Sequence, residues 1–204
     1  MKHLKLINLI FLLLIINSSC AFSVETQNKL IQIKAKKLIY ATVKKIIDGD
    51  TLIVENENSQ ILKIRLYGID TPEVSKEQND SLLSEFENFW GQKAKKYLED
   101  FFNNSVDFYY QTVTFDKYNR TVAVAYLNLN VDFSNSINYK LVQSGFARVA
   151  YITNENKKSI YYTKTNEQKQ FYYSLMQAQQ EAKTKQKGIW KLNEKRIFSK
   201  KWIN

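Results

Sequence analysis

From residue 38 onward, apolar and polar positions alternate in short runs that predict a β-rich first half. Leu38 to Ile47 sets β-branched and aromatic residues around paired lysines, Thr51 to Val54 resumes the pattern, and Ile61 to Leu66 forms a third run. Asp48-Gly49-Asp50 and Glu55-Asn56-Glu57-Asn58-Ser59 separate these runs with turn-forming residues. Three short strands joined by polar turns predict a meander. Val106 to Phe115 and Thr121 to Leu127 add two strands across a turn at Asp116 to Asn119. The period changes to three and four over Glu85 to Phe102, where Phe86, Phe89, Trp90, Ala94, Tyr97, Leu98 and Phe101 recur, and this predicts a helix. Ser134 to Ser144 carries Ile137, Leu141 and Val142 on one helical face, and Gly145 suits the left-handed position that ends a helix. A long polar, basic helix is predicted from Glu167 to Lys187, closed by Gly188-Ile189-Trp190. Val74 to Ser84 is polar and predicts a loop or loose helix, and Pro72, the one proline, restricts Thr71 to an extended conformation. Five strands with interleaved helices predict an α+β domain, and the natural candidate is a five-stranded OB-type β-barrel.

The N-terminus has another character. Lys2 and Lys5 precede an apolar run from Leu6 to Ile16, and Ser19-Cys20-Ala21 supplies small residues at a signal-peptidase spacing. Residues 1–23 therefore read as an export signal, with periplasm, membrane surface or external medium as destinations. A retained signal anchor and lipid attachment at Cys20 are the alternatives. Residues 24–38 read as a polar arm, 39–191 as the domain and 192–204 as a basic tail.

Composition narrows the chemistry. The 204 residues include one His, His3, and one Cys, Cys20, both within the expected leader. The remainder cannot form a Ser-His-Asp triad, a Cys-His pair, a Cys/His zinc site or a disulfide framework. Catalysis would fall to carboxylates, Arg, Lys, Tyr, hydroxyls and a hard cation on oxygen ligands. The formal net charge of +10 favours polyanionic partners, nucleic acid or an anionic membrane.

Candidates for such chemistry gather where strands end. Asp48 and Asp50 flank Gly49 at one strand end, Asp70 ends another run, and Glu73 lies within reach of the same corner. Asp-Gly alone marks a turn, but clustered carboxylates repel unless a cation or arginine neutralises them. Arg65 lies on the strand that delivers Asp70, inside an apolar run, where a guanidinium is costly without an anionic partner. Arg120 follows the Asp116-Lys117-Tyr118-Asn119 turn. Two arginines, a carboxylate and a divalent cation form the set that phosphodiester hydrolysis needs: forks for phosphoryl oxygens, a proton acceptor for water and a Lewis acid.

At these residues the chain resembles the thermonuclease, or staphylococcal nuclease-like, family. One signature runs Asp48-Gly49-Asp50-Thr51-Leu52-Ile53-Val54 and then Arg65-Leu66-Tyr67-Gly68-Ile69-Asp70-Thr71-Pro72-Glu73; a second runs Asp116-Lys117-Tyr118-Asn119-Arg120-Thr121-Val122-Ala123. Softer matches are Leu141 to Val149 and the basic helix closing on Gly188-Ile189-Trp190. The resemblance implies an OB barrel with three helices. It also implies a Ca²⁺-dependent endonuclease of the micrococcal nuclease type, cutting DNA and RNA, single-stranded or locally open, to leave 3′-phosphates. By the same resemblance Asp50 and Asp70 would bind Ca²⁺ by side chain and Thr71 by its carbonyl, with Asp48 supporting them from behind. Glu73 would hold or activate water, Arg65 and Arg120 would grip the scissile phosphate, and Lys117, Tyr118 and Tyr151 would contact the rest of the nucleotide. A monomer without an obligate protein partner is expected.

Three positions and one stretch depart from the family pattern. Asn119 stands for Gly or Gln, Tyr139 for an acidic residue, Thr153 for a second tyrosine near Tyr151, and the 74–89 stretch is longer. The competing reading is a barrel that grips single-stranded nucleic acid without cutting it. A third is a basic protein that coats anionic surfaces. Retention of Arg65, Glu73, Arg120, Asp50 and Asp70 together separates the nuclease from both.

Overall fold

The structure, a computed structural model, describes residues 38–76, 80–103 and 108–199. The export signal, Cys20 and all of the arm except Leu38 lie outside the described residues. Strands β1 (Ile39–Ile46), β2 (Thr51–Asn56) and β3 (Ile61–Leu66) form the expected meander. A two-residue strand β4 (Ile69–Asp70) and helix α1 (Glu87–Asn103) precede β5 (Phe108–Phe115) and β6 (Thr121–Tyr126). Helix α2 (Ile137–Gln143), strand β7 (Arg148–Val149) and helix α3 (Asn166–Thr184) follow.

Five strands close into a barrel of order β1-β2-β3-β6-β5, an α+β OB-type fold carrying three helices. Every pairing is antiparallel except β3 with β6, which run parallel. Alternation sends Leu52, Val54, Ile64, Leu66, Phe108, Tyr110, Ala123 and Ala125 inward, all buried. The register shifts between Val43 and Lys45 in β1 and between Thr112 and Thr114 in β5. Such irregularities bend strands and help a small sheet close.

Arg65 and Asp70 do not share one strand. After Leu66 the backbone turns at Gly68, whose φ of +77° is open to glycine. The chain then re-enters as β4, paired with β7 rather than with the barrel. Asp70 therefore lies opposite Arg148.

The helices seal the barrel. In α2, Asn138 is fully buried: its Nδ2 donates to the carbonyls of Tyr67 and Ala123 at 2.9 and 3.3 Å, and its Oδ1 accepts from the Ala125 amide at 3.0 Å. A polar link between helix and core is thus made one residue before Tyr139. Gly145 ends this segment at φ +74°, as its place after the helix predicts, and Asn119 adopts φ +59° in the β5–β6 turn, a left-handed conformation that Asn tolerates. Helix α3 begins on a capping box between Thr165 and Gln168. Its buried face is Phe171, Tyr172, Leu175, Ala178 and Ala182.

A second apolar cluster joins Ile189, Ile197 and Phe198 to Phe86, Trp90, Trp190 and Leu192. Packing thus continues to Ser199, into the stretch that the sequence pattern assigns to the tail. Glu87, at the start of α1, accepts from the amides of Ser84 (2.9 Å) and Ser199 (3.0 Å). Gly91 of the same helix lies against the backbone of Pro72 and Glu73, so that a Cβ there would collide with both carbonyl oxygens.

Candidate active site

The acidic corner is built by backbone reversals at the barrel rim. The chain leaves β1, turns through Asp48-Gly49-Asp50 and re-enters β2, with the Ile47 amide donating to the Thr51 carbonyl at 2.9 Å. The Asp50 amide donates to Asp48 Oδ1 at 3.1 Å. Asp50 Oδ2 accepts from the Thr71 amide at 2.8 Å and the Thr71 hydroxyl at 3.1 Å, while its Oδ1 accepts from the Thr51 hydroxyl at 3.1 Å. The two Thr71 bonds tie the halves of the first signature together across 21 positions.

Arg65 lies between the acids. Its Nη1 is 2.7 Å from Asp50 Oδ2 and its Nη2 is 3.3 Å from Asp70 Oδ1. The other oxygen of Asp70 accepts from Arg148, from Nε at 3.0 Å and Nη2 at 2.8 Å. Arg148 also reaches Glu194 Oε1 through Nη1 at 2.8 Å, and its guanidinium carbon sits 3.7 Å from the Phe198 ring centre. Bidentate geometry of this kind fixes orientation as well as charge. The Arg65 guanidinium lies 5.6 Å from the centre of the Tyr151 ring. Tyr151 has φ +57°, a left-handed conformation that is strained for a bulky side chain.

The corner holds more carboxylate than guanidinium. Burial and the neighbouring Asp50 and Glu73 push Asp48 up to about 7. Burial also raises Asp70, against the opposing pull of Arg65 and Arg148. Glu73 is raised by burial and by Asp50, with Lys76 acting the other way. Burial would lower Arg65, but Asp50, Asp70 and Asp48 outweigh it and hold the guanidinium charged. Burial and the nearby Asp70 push the Tyr151 phenol to about 12, so it stays protonated at neutral pH. Among the described residues no group of three or more His, Cys, Asp or Glu side chains forms a ready metal cluster.

Arg120 reaches the same side of the barrel by register. Ile64 pairs with Thr121 and Arg65 with Val122. Ile64, Thr121, Leu66 and Ala123 are buried, so Arg65 and Val122 face outward, and alternation puts Arg120 on that same outer face. Neighbouring strands lie about 4.8 Å apart and two residues span about 6.6 Å, so the two arginine Cα atoms stand roughly 8 Å apart. The Arg120 side chain is braced by Asp116, which takes its Nε at 2.6 Å and its amide at 2.9 Å. Asp116 also accepts from the Tyr118 amide at 2.9 Å. Burial would raise the Asp116 carboxyl, but the bonds from Arg120 and Tyr118 hold it below the ordinary value. Tyr118 is 64% exposed, with Lys117 at 5.0 Å and Arg120 at 5.6 Å from its ring centre.

Contacts therefore bring together Asp48, Asp50, Arg65, Asp70, Thr71 and Tyr151, and Glu73 joins them electrostatically. Lys117, Tyr118 and Arg120 form a second group on the β5–β6 turn, joined to the first through the β3–β6 pairing. Arg148 and Glu194 belong to the corner without having been singled out for it. The signal available for Arg148 is the one used for Arg65: an arginine between apolar neighbours, Ala147 and Val149, needs an anionic partner. Glu194 carries no such signal, since its stretch reads as tail.

Residues 63–192 match the family described as staphylococcal nuclease homologue. A thermonuclease of Staphylococcus intermedius is 32% identical over 148 residues, covering 72% of this chain and 74% of the relative. An uncharacterized protein of Methanocaldococcus jannaschii is 32% identical over 164 residues, covering 74% and 71%. A prophage-derived endonuclease of Bacillus subtilis is 30% identical over 161 residues, covering 78% of this chain and 46% of the relative.

Proposed function

Because the chain belongs to the staphylococcal nuclease homologue family, we propose that it is an exported endonuclease that hydrolyses phosphodiester bonds of DNA and RNA with Ca²⁺ as cofactor. The single observation that carries this reading is the register of β3 against β6, which sends Arg65 and Arg120 from one outer face. On this reading a phosphate group would lie between them, beside the acidic corner.

The proposed roles follow from charge and reach. A phosphate approached by water gathers negative charge on its non-bridging oxygens, and guanidinium forks stabilise that charge better than single ammonium groups. Arg65 and Arg120 supply two forks. Glu73, the acid that the family resemblance assigns to the water, is raised by burial and by Asp50, which suits a proton acceptor. Water oxygen bonds to phosphorus, its proton passes to Glu73, and the bond from phosphorus to the 5′ oxygen breaks. The products are a 3′-phosphate and a 5′-hydroxyl, the latter protonated from solvent or from a neighbouring guanidinium. Lys117, Tyr118 and Tyr151 present cationic and aromatic surface to the flanking nucleotide.

The donor set fits a hard cation. It offers carboxylate oxygens of Asp50 and Asp70, now paired with arginine, and no nitrogen or sulfur, a chemistry that suits Ca²⁺ better than a Cys/His zinc site. Asp50, Asp70 and the Thr71 carbonyl would hold the ion, with Asp48 fixing the Asp50 backbone through its 3.1 Å bond. Bound there, Ca²⁺ would supply Lewis-acid polarisation of the phosphoryl group.

The test is incubation of purified protein with single-stranded DNA, in Ca²⁺ or in excess chelator, followed by end-group analysis. Cleavage to 3′-phosphate ends in Ca²⁺ and none in chelator is expected, while binding persists in weakened form. Binding without cleavage under both conditions would transfer the assignment to a non-catalytic nucleic-acid-binding barrel.

A further inference from the structure

Ten residues after the strained Tyr151, a second tyrosine returns to it. The Tyr161 ring lies edge-on to Tyr151, with centres 5.3 Å apart and planes at 70°. Residues 153–163 form the loop that brings it there, and the loop is pinned at its neck. The Thr153 amide donates to the Tyr161 carbonyl and the Thr163 amide to the Thr153 carbonyl, both at 2.9 Å. Thr163 Oγ1 donates to Asn154 Oδ1 at 2.8 Å, and Asn154 Nδ2 donates to the Tyr173 hydroxyl at 2.7 Å. Glu155, the acid of this loop, accepts from the Tyr172 hydroxyl at 3.0 Å. On the outer surface, beside the exposed Glu155 and Asn156, Lys157 and Lys158 of the loop and the following Lys164 are exposed, Ile160 is 84% exposed and Tyr161 is 39% exposed.

Tyr161 stays 39% exposed although it packs against Tyr151, so part of its ring surface is open to a ligand. Exposed aromatic rings among lysines are what single-stranded nucleic acid binds, rings taking base faces and ammonium groups taking phosphates. The loop is also continuous with the candidate site, because Tyr161 touches Tyr151 and Tyr151 faces the Arg65 guanidinium. We propose that the 153–163 loop is a nucleobase subsite in which Tyr161 stacks an unpaired base flanking the phosphate held at Arg65. This rests on the nuclease reading for the position of that phosphate.

The experiment measures equilibrium binding of a short fluorescein-labelled single-stranded DNA, in excess chelator, to the wild type and to Tyr161→Ala, Tyr161→Leu and Tyr161→Phe. The same strand made abasic beside the label is the comparison probe. Tyr161→Ala and Tyr161→Leu should weaken binding of the intact strand about 5- to 10-fold, the lower part of what one base–aromatic stack contributes. Tyr161→Phe, which keeps the ring, should bind as the wild type does. All three should bind the abasic strand as the wild type does, and their melting temperatures should stay close to its value. Unchanged affinity in Tyr161→Ala, or an equal loss on both probes, overturns the subsite. Should alanine destabilise the fold, the leucine variant, which keeps apolar bulk without a π face, decides. Wild-type cleavage of the intact strand in Ca²⁺ is run in parallel. Failure there sinks the nuclease reading, whereas intact cleavage with unchanged variant affinity sinks the subsite alone.

Discussion

Arg120 and Arg65 are both guanidinium groups in ion pairs, yet their surroundings make different predictions. Arg120 sits at the end of a turn, and its partner Asp116 also holds two amides of that turn. Arg120→Ala leaves those amide bonds in place, so the fold should persist while turnover falls on the order of 10²–10³, the effect of losing one donor to a developing oxyanion. Steady-state turnover beside a thermal melt checks both halves, and near-normal turnover would remove Arg120 from the mechanism. Arg65 bridges two acids that are themselves buried. Arg65→Lys retains the charge but cannot hold Asp50 and Asp70 at once, so turnover should fall despite the conservative exchange. The acid Asp116 also sets a pH dependence. Its carboxyl is held below the ordinary value of 3.8, so its stabilisation of the turn is complete above that value and is lost as pH falls through the lower one. An acid titration followed by the fluorescence or NMR signal of Tyr118 should therefore show a step below pH 3.8, and Asp116→Ala should abolish it.

Among the elements, α1 meets the site through a missing side chain. Gly91 lets the helix backbone approach Pro72 and Glu73, and a Cβ there has no space. Gly91→Ala must push the Glu73 segment away, since the obstructing atoms are main-chain carbonyl oxygens. A displacement of about 1 Å is enough to lower catalysis roughly 10²-fold. The expected result is a fall in turnover larger than the loss of DNA affinity in chelator; an equal fall in both would show that Glu73 had not moved selectively. The element scale also shows what could be read from the chain. The five barrel strands follow from short apolar or alternating runs between polar turns, two helices from recurrence at three and four or one apolar face, and the last helix from its long polar, basic composition. Strands β4 and β7 have two residues each, too short for any period, and they exist because Gly68 turns the chain and because Asp70 and Arg148 neutralise each other. The acids and Arg65 were legible as costly residues at strand ends. The partnership of Arg148 with Glu194 was not, because it joins residues 46 apart across a stretch that reads as a tail.

At the scale of the whole molecule, the C-terminal stretch closes the domain from outside the barrel. Ile197 and Phe198 are buried, Glu194 holds Arg148, and Arg196 pairs with Glu85 at 2.8 Å across the surface. Phe198→Ala removes both a core ring and the face on which Arg148 rests, and should cost about 3–5 kcal/mol. For a domain of this size that lowers the melting temperature by roughly 10 °C. A melt within a degree or two of wild type would mean that the segment is not packed as described.

The parallel junction between β3 and β6 has one more consequence. Its two members are separated in the chain by β4, α1 and β5, so Arg65 and Arg120 are brought to one side only when β3 and β6 pair. A growing or half-assembled polypeptide carries the acids of the rim long before it acquires the second grip on a phosphate. On the proposed nuclease reading such a chain would lack one of its two phosphate grips, and cutting would begin only once the barrel is complete.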